Sequence, residues 1–339
     1  MMDEWELAAS TPAVLVTVVI VEGSAPREPG TRMVVSAGAL AGTVGGGHLE
    51  LRAIEIGRAM LAGGSGRARH VERFALGPGL GQCCGGVVHL AFERVQPAQA
   101  YLLATRRNVD TWRLAALDGA PDSALFDGAG VRLDAASTSV PAHCPDFSRT
   151  GGAHVMQEPG GRRWLVVPLA APRAHLVLFG AGHVGAAVVR AVACLPCSVT
   201  WVDERDDMFP RAVPANVRIE ASDALEEMVT SAPAGASYLV MTHSHALDQR
   251  VAEAILARRD VGWFGLIGSH TKRMQFEHRL RARGVAPERI AAMVCPIGLA
   301  GITGKEPAVI AASVCAQLLM VWEAGKLPLT VARKYQETT

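Results

Sequence analysis

The stretch His175-Leu176-Val177-Leu178-Phe179-Gly180-Ala181-Gly182-His183-Val184-Gly185 constrains the fold more than any other part of this chain. An apolar run leads into Gly-x-Gly-x-x-Gly, and a helical pattern follows over 184–193. The three glycines permit a tight turn and close backbone approach, and the free amides of the helix start favour a phosphate. Asp203 closes the next apolar run, about 20 residues on, where a carboxylate can take a ribose hydroxyl. The combination predicts a Rossmann-like fold. NAD(P) is the cofactor it allows; the plainer alternative is the same scaffold holding another phosphate-bearing molecule, or none.

The pattern around this turn supports the prediction. Strand-like runs at 175–179, 198–202, 238–241 and 263–267 alternate with helical ones at 184–193, 224–228, 247–258 and 272–283. That alternation predicts a parallel sheet with helices on its faces. A last helix is expected over 308–322, started by Pro307. The first half is different. Residues 14–21 form a nearly continuous β-branched run, suited to a buried strand. Runs at 32–36 and 40–44 read as a hairpin, 67–74 and 87–92 as further strands, and 48–61 as one amphipathic helix with Leu49, Ala53, Ile56 and Met60 on its apolar face. The fold class is therefore α/β: a mixed α+β domain over 1–96, a connecting segment with hairpins over 97–173, a Rossmann-like parallel-sheet domain over 174–325, and a tail over 326–339.

The bulk properties exclude several classes. The chain has 339 residues, a net charge of +1 and 50% hydrophobic residues, which fits a globular protein and gives no basic footprint for nucleic acid. The acidic start lacks the basic region of a signal peptide. No apolar run reaches the roughly 18 residues needed to span a bilayer, so no membrane role is expected. Seven cysteines without framework spacing argue against a secreted disulfide scaffold and for a cytoplasmic location with reduced thiols.

Two of those cysteines carry chemistry. Gly81-Gln82-Cys83-Cys84-Gly85-Gly86 follows Gly77-Pro78-Gly79-Leu80. Adjacent cysteines bridge each other only with strain, and the spacing lacks the gap of a zinc knuckle. What remains is a thiol pair on a glycine loop, able as thiolate to meet something soft. Elsewhere in the same half, Gly45-Gly46-Gly47-His48 opens a helix, and successive glycine amides there form an anion nest. Arg27, with Ser24 and Arg32, lies where it can add donors; a turn needed only for packing is the alternative. Cys194-Leu195-Pro196-Cys197 matches Cys-x-x-Cys but follows a helix rather than starting one, and reads as structural.

Three further clusters end strands of the second half. His243, His245 and Asp248 can be read as metal ligands of a hydrolase, as ligand contacts, or as a polar loop at a strand end. Ser269 is placed to cap a helix whose first turn holds Lys272 and Arg273. Two cations at the positive end of a helix dipole point to an anionic partner, or to solvated charge. Residues 295–307 are glycine-rich but depart from the P-loop pattern, with Leu299 at its first glycine and Glu306 at its Ser/Thr.

Taken together these motifs resemble the XdhC/CoxI family of accessory proteins for molybdenum hydroxylases. The resemblance rests on residues 23–30, 42–50 and 80–86 in the first half, and on 179–184, 241–245, 265–273 and 295–298 in the second. It implies a xanthine dehydrogenase accessory protein, usually a homodimer, that is not itself an enzyme. It would bind the molybdenum cofactor (molybdopterin) as cargo while a cysteine desulfurase supplies sulfur, then deliver it to the apo molybdenum subunit of xanthine dehydrogenase. On this reading Cys83 or Cys84, beside Gln82, contacts molybdenum, and Gly45, Gly46, Gly47 and His48 with Arg27 hold the phosphate or pterin side. An NAD(P)-dependent oxidoreductase built on Gly180, Gly182, His183, Gly185 and Asp203, and a metal-dependent hydrolase, are the alternatives.

Overall fold

A computed structural model describes residues 4–63, 68–77, 85–134 and 152–324. The chain divides into two compact units, Met1–Ala171 and Pro172–Thr339.

In the first unit the elements are α1 (Glu4–Ser10), β1 (Ala13–Glu22), β2 (Arg32–Ser36), β3 (Leu40–Gly42), α2 (Gly47–Leu61), β4 (Arg69–Ala75), β5 (Val87–Arg94), α3 (Pro97–Thr105), β6 (Thr111–Ala116), β7 (Ser123–Asp127), β8 (His154–Gln157) and β9 (Arg163–Leu169). Among the described residues β1–β5 form one antiparallel sheet in the order β3-β2-β1-β5-β4. Strand β1 is central, and its apolar run is continuous because both faces are covered. Val14, Val16 and Val18 pack with Leu49, Ala53 and Met60 of α2. Ala13 and Leu15 face Trp5, Leu7, Leu103 and Leu125. Helix α2 also buries Gly57, where an added Cβ would lie 3.2 Å from Val35. The segment 97–173 is read from sequence as a connecting segment with hairpins; its described residues hold α3 and a second antiparallel sheet in the order β7-β6-β9-β8. The two sheets share buried side chains: Val19 and Ala91 pack with Leu165 and Val167. Glu93 lies buried between Arg69 and Arg113, which ties β4 and β5 to β6.

The second unit is Rossmann-like. Its elements are β10 (Ala174–Phe179), α4 (His183–Ala191), β11 (Cys197–Asp203), β12 (Val217–Ala221), α5 (Leu225–Ser231), β13 (Ser237–Val240), α6 (His245–Ala257), β14 (Trp263–Leu266), α7 (His270–Ala282), α8 (Pro287–Ala291), β15 (Met293–Val294) and α9 (Pro307–Ala324). The strands pair in parallel, in the order β12-β11-β10-β13-β14-β15. Alternate residues of β10 supply two cores. Leu176 and Leu178 pack with Val188 of α4 and Val314 and Leu318 of α9. Val177 and Phe179 pack with Val229, Val251, Ile255 and Phe276. Helix α9 corrects the expectation about apolar length: its 18 residues have a mean hydropathy of 1.5, enough by length and composition alone to cross a membrane, although one face lies in this core.

Candidate functional site

Antiparallel order brings the motifs of the first unit together. The connections β1–β2, β3–α2 and β4–β5 all leave the same end of the five-stranded sheet. There the Gly-Pro loop meets both of the others. A Cβ on Gly45 would stand 2.6 Å from Pro26 Cγ, and one on Gly86 would stand 2.3 Å from the carbonyl oxygen of Ser24. The Gly86 amide donates to that carbonyl at 3.1 Å, and Leu76 N donates to the Gly86 carbonyl at 2.9 Å. These contacts fix both stems of the cysteine loop; Gln82, Cys83 and Cys84 themselves lie outside the described residues.

The glycine nest is built as its sequence implies, with φ of 130° at Gly45, 78° at Gly46 and 61° at Gly47. All three are in a region that L side chains avoid. Its anion, however, comes from the protein. Glu50 Oε2 accepts from the amides of Val44 and Gly46, each at 3.2 Å, and from the Thr43 hydroxyl. The expectation that the nest awaits a phosphate is corrected in part: a carboxylate one turn into α2 takes the Gly46 amide, and the Thr43 hydroxyl oxygen accepts from Gly45 N at 3.1 Å. Arg32 is likewise engaged, paired with Glu4 and lying 5.3 Å over the Trp5 ring. Arg27 and His48 are exposed at this end, and Arg27 makes no ion pair among the described residues.

In the second unit the motifs gather at the carboxyl edge of the parallel sheet. Gly180, at φ 117°, ends β10 beside Met241, whose carbonyl oxygen would lie 2.3 Å from an added Cβ. A Cβ on Gly185 would sit 2.1 Å from the Gly180 carbonyl oxygen, which also accepts from Trp201 Nε1 at 3.0 Å. Gly182 caps α4 with open space around it, and His183 is exposed. Asp203 is buried. Its Oδ2 accepts from Ala181 N at 2.7 Å and Arg205 Nη2 at 3.0 Å; its Oδ1 accepts from Arg205 N at 3.0 Å and Nε at 2.9 Å. Burial pushes this carboxyl up, and the Arg205 and Ala181 hydrogen bonds outweigh it, holding the pKa below the usual aspartate value.

The structure separates His243, His245 and Asp248. Both histidines are exposed, and His243 Nε2 lies 3.4 Å from Glu204. Asp248 is fully buried beneath them. Its Oδ1 accepts from Thr242 N at 3.0 Å and Thr242 Oγ1 at 2.7 Å, and its Oδ2 from Lys272 Nζ at 2.6 Å. The three-ligand reading is thereby corrected: among the described residues no group of three or more His, Cys, Asp or Glu is placed to hold a metal ion. Ser269 caps α7 as expected, accepting from Lys272 N. The two cations of that first turn have internal partners, so the argument from them to an outside anion lapses. Lys272 turns to Asp248 and the Ile267 carbonyl, and Arg273 to Glu277 and the Cys295 carbonyl. Behind them Gly298 and Leu299 are tied to Gln317 and Ser313 of α9. Burial raises the thiols of Cys295, Cys197 and Cys315, the last two to about 11. Sequence reasoning missed Glu50 and Arg205. A carboxylate in the first turn of α2 was a readable signal for the former; the latter had none.

Comparison with known proteins accords with both halves. The family model described as XdhC and CoxI family matches residues 6–74, and the one described as XdhC Rossmann domain matches residues 176–318. The uncharacterized protein YqeB of Escherichia coli (strain K12) is 28% identical over 176 residues, 52% of this chain; the match spans about a third, 32%, of that relative. A solved structure described as a xanthine dehydrogenase from Bacillus halodurans superposes with a TM-score of 0.69 at 19% identity, covering 95% of this chain and 96% of that one. With the family models together covering more than half of its residues, the chain belongs to the XdhC and CoxI family.

Proposed function

We propose that this protein acts in the maturation of xanthine dehydrogenase, as an accessory protein that carries the molybdenum cofactor and has no turnover of its own. Family membership supports the general role. The observation that carries the cargo reading is the convergence of three loops at one end of the first sheet, with Ser24 and Pro26 packed on Gly86 and Gly45. That convergence holds the stems of a Cys-Cys loop next to the exposed Arg27. The cargo has matching parts: an oxo-molybdenum dithiolene suited to a soft thiolate, and a phosphate suited to a guanidinium. Cys83 or Cys84 is the molybdenum contact on this reading and Arg27 the phosphate contact, while Gly45–Gly47 shape the wall between them. A cysteine desulfurase supplies sulfur to the bound cofactor, and a cytoplasmic homodimer passes it to the apo molybdenum subunit.

The test is retention of cofactor by purified protein through gel filtration, read by molybdenum content and pterin fluorescence. Cys83→Ala or Cys84→Ala is expected to weaken retention. If both single variants and the double variant hold cofactor as well as the wild type, the thiol role is wrong.

A further inference from the structure

The Rossmann-like architecture of the second unit implies a dinucleotide, held with its pyrophosphate on the glycine turn and its adenosine ribose on the acid that ends the second strand. The turn itself fits. Gly182 leaves open space over the start of α4, so the phosphate end stays approachable. The ribose end does not fit. We propose that the Rossmann-like unit of this chain does not recognise a nicotinamide or adenine dinucleotide, because its ribose-reading carboxylate is saturated by Arg205 and by the turn.

A carboxylate offers about four lone-pair sites. All four of those on Asp203 are occupied: two by the Arg205 fork, one by the Arg205 amide and one by the Ala181 amide. A ribose diol reads such an acid by donating to it, and here it would have to displace a charge-assisted, bidentate pair to do so. A 2′-phosphate fares no better. In the phosphorylated dinucleotide an arginine near this position receives that group, but here Arg205 Nε and Nη2 are already committed to Asp203. Around it stand Glu204, Asp206 and Asp207, with His243 leaning on Glu204. One guanidinium among four carboxylates is a poor anion site.

The glycines then need a reason other than a nucleotide, and for two of them packing supplies it. Gly180 must let Met241 pass and Gly185 must let the Gly180 carbonyl pass, each at a distance no Cβ tolerates. Trp201 Nε1 closes the turn from below through the same carbonyl. The fingerprint is thus a self-ligated turn in which Asp203 holds the Ala181 amide and Arg205 holds Asp203. This inference concerns the second unit alone and stands whether or not the first unit carries the molybdenum cofactor.

The experiment is titration calorimetry of the full chain with NAD, NADP and AMP at millimolar concentration, on wild type, Arg205→Ala, and Arg205→Ala with Asp203→Asn. Wild type is expected to give no saturable binding. Arg205→Ala frees acceptor sites on both carboxylate oxygens and should acquire saturable AMP and NAD binding, about tenfold or more above the wild-type limit, lost again when Asp203→Asn is added. If Arg205→Ala loses its far-UV dichroism, Arg205→Gln replaces it. Saturable binding of any of the three nucleotides by wild type overturns the proposal. So does a folded Arg205 variant as silent as wild type, since the ion pair would then not be what excludes the ribose.

Discussion

Removing the amine of Lys272 is the most demanding check on the second unit. Asp248 is fully buried and the Lys272 side chain only 11% exposed, with their charged atoms 2.6 Å apart. In Lys272→Met the carboxylate stays buried. Thr242 still donates twice to Oδ1, but Oδ2 loses the ammonium. Breaking a buried pair from one side costs about 3–5 kcal/mol, because the remaining charge is uncompensated. Adding Asp248→Asn removes that charge and keeps an acceptor for Thr242. The double variant should therefore be more stable than Lys272→Met by about 1 kcal/mol or more, a coupling typical of groups in contact. Urea unfolding, followed by hydrogen exchange in peptides from α6 and β14, reads the stability of this unit separately from the first. A Lys272→Met protein within about 0.5 kcal/mol of wild type, the range of an ordinary surface substitution, would refute the buried pair. A double variant no better than the single one would refute the coupling.

Three other outcomes are expected. Burial raises the Glu93 carboxyl, and Arg113 and Arg69 more than offset it, leaving its folded pKa below the ordinary glutamate value. Its contribution is therefore complete above the unfolded pKa and is lost as pH falls through the folded one; Glu93→Gln should flatten this acid limb in thermal melts of the first unit. Glu50→Ala leaves the Val44 and Gly46 amides without their acceptor and should cost about 1 kcal/mol, with added sulfate raising the Tm of the variant more than that of wild type. Among the described cysteines, iodoacetamide near neutral pH should label the exposed Cys194 and spare Cys197 and Cys315, whose thiols sit near 11; mass spectrometry of the alkylated peptides checks this.

Legibility followed length and periodicity. The strands of the Rossmann-like unit and the β-branched β1 could be read because long apolar runs bounded by glycine admit few other structures. Helices α1 and α3 could not: α4 and α5 are equally short, but they fall in an alternation of strands and helices that marks where a helix is due, and α1 and α3 do not. Strand β12 hides because Arg218 and Glu220 occupy the outer edge of the sheet, and β15 because it has two residues. Gly-rich loops were legible as positions where the backbone needs unusual angles, as Gly45, Gly46 and Gly47 bear out.

What the loops bind was not legible, and the reason is common to both units. Except at Arg27, the polar group that each motif offers has a partner inside the fold: Glu50 for the Gly46 amide, Arg205 for Asp203, Asp248 for Lys272 and Glu277 for Arg273. A motif specifies a donor or acceptor; only tertiary structure says whether its complement is solvent, ligand or another side chain. Self-ligation also has a use. A turn whose polar groups are already satisfied keeps its shape when empty, whereas one that relies on a ligand pays ordering entropy on each binding event. For a protein that takes up cargo and releases it, preformed walls confine the exchangeable contact to few residues. On the proposed cargo role those in the first unit are Arg27 and the cysteine pair, so substitutions there should change cofactor retention with little change in stability, while Gly45→Ala, at φ 130° against Pro26, should lower both together.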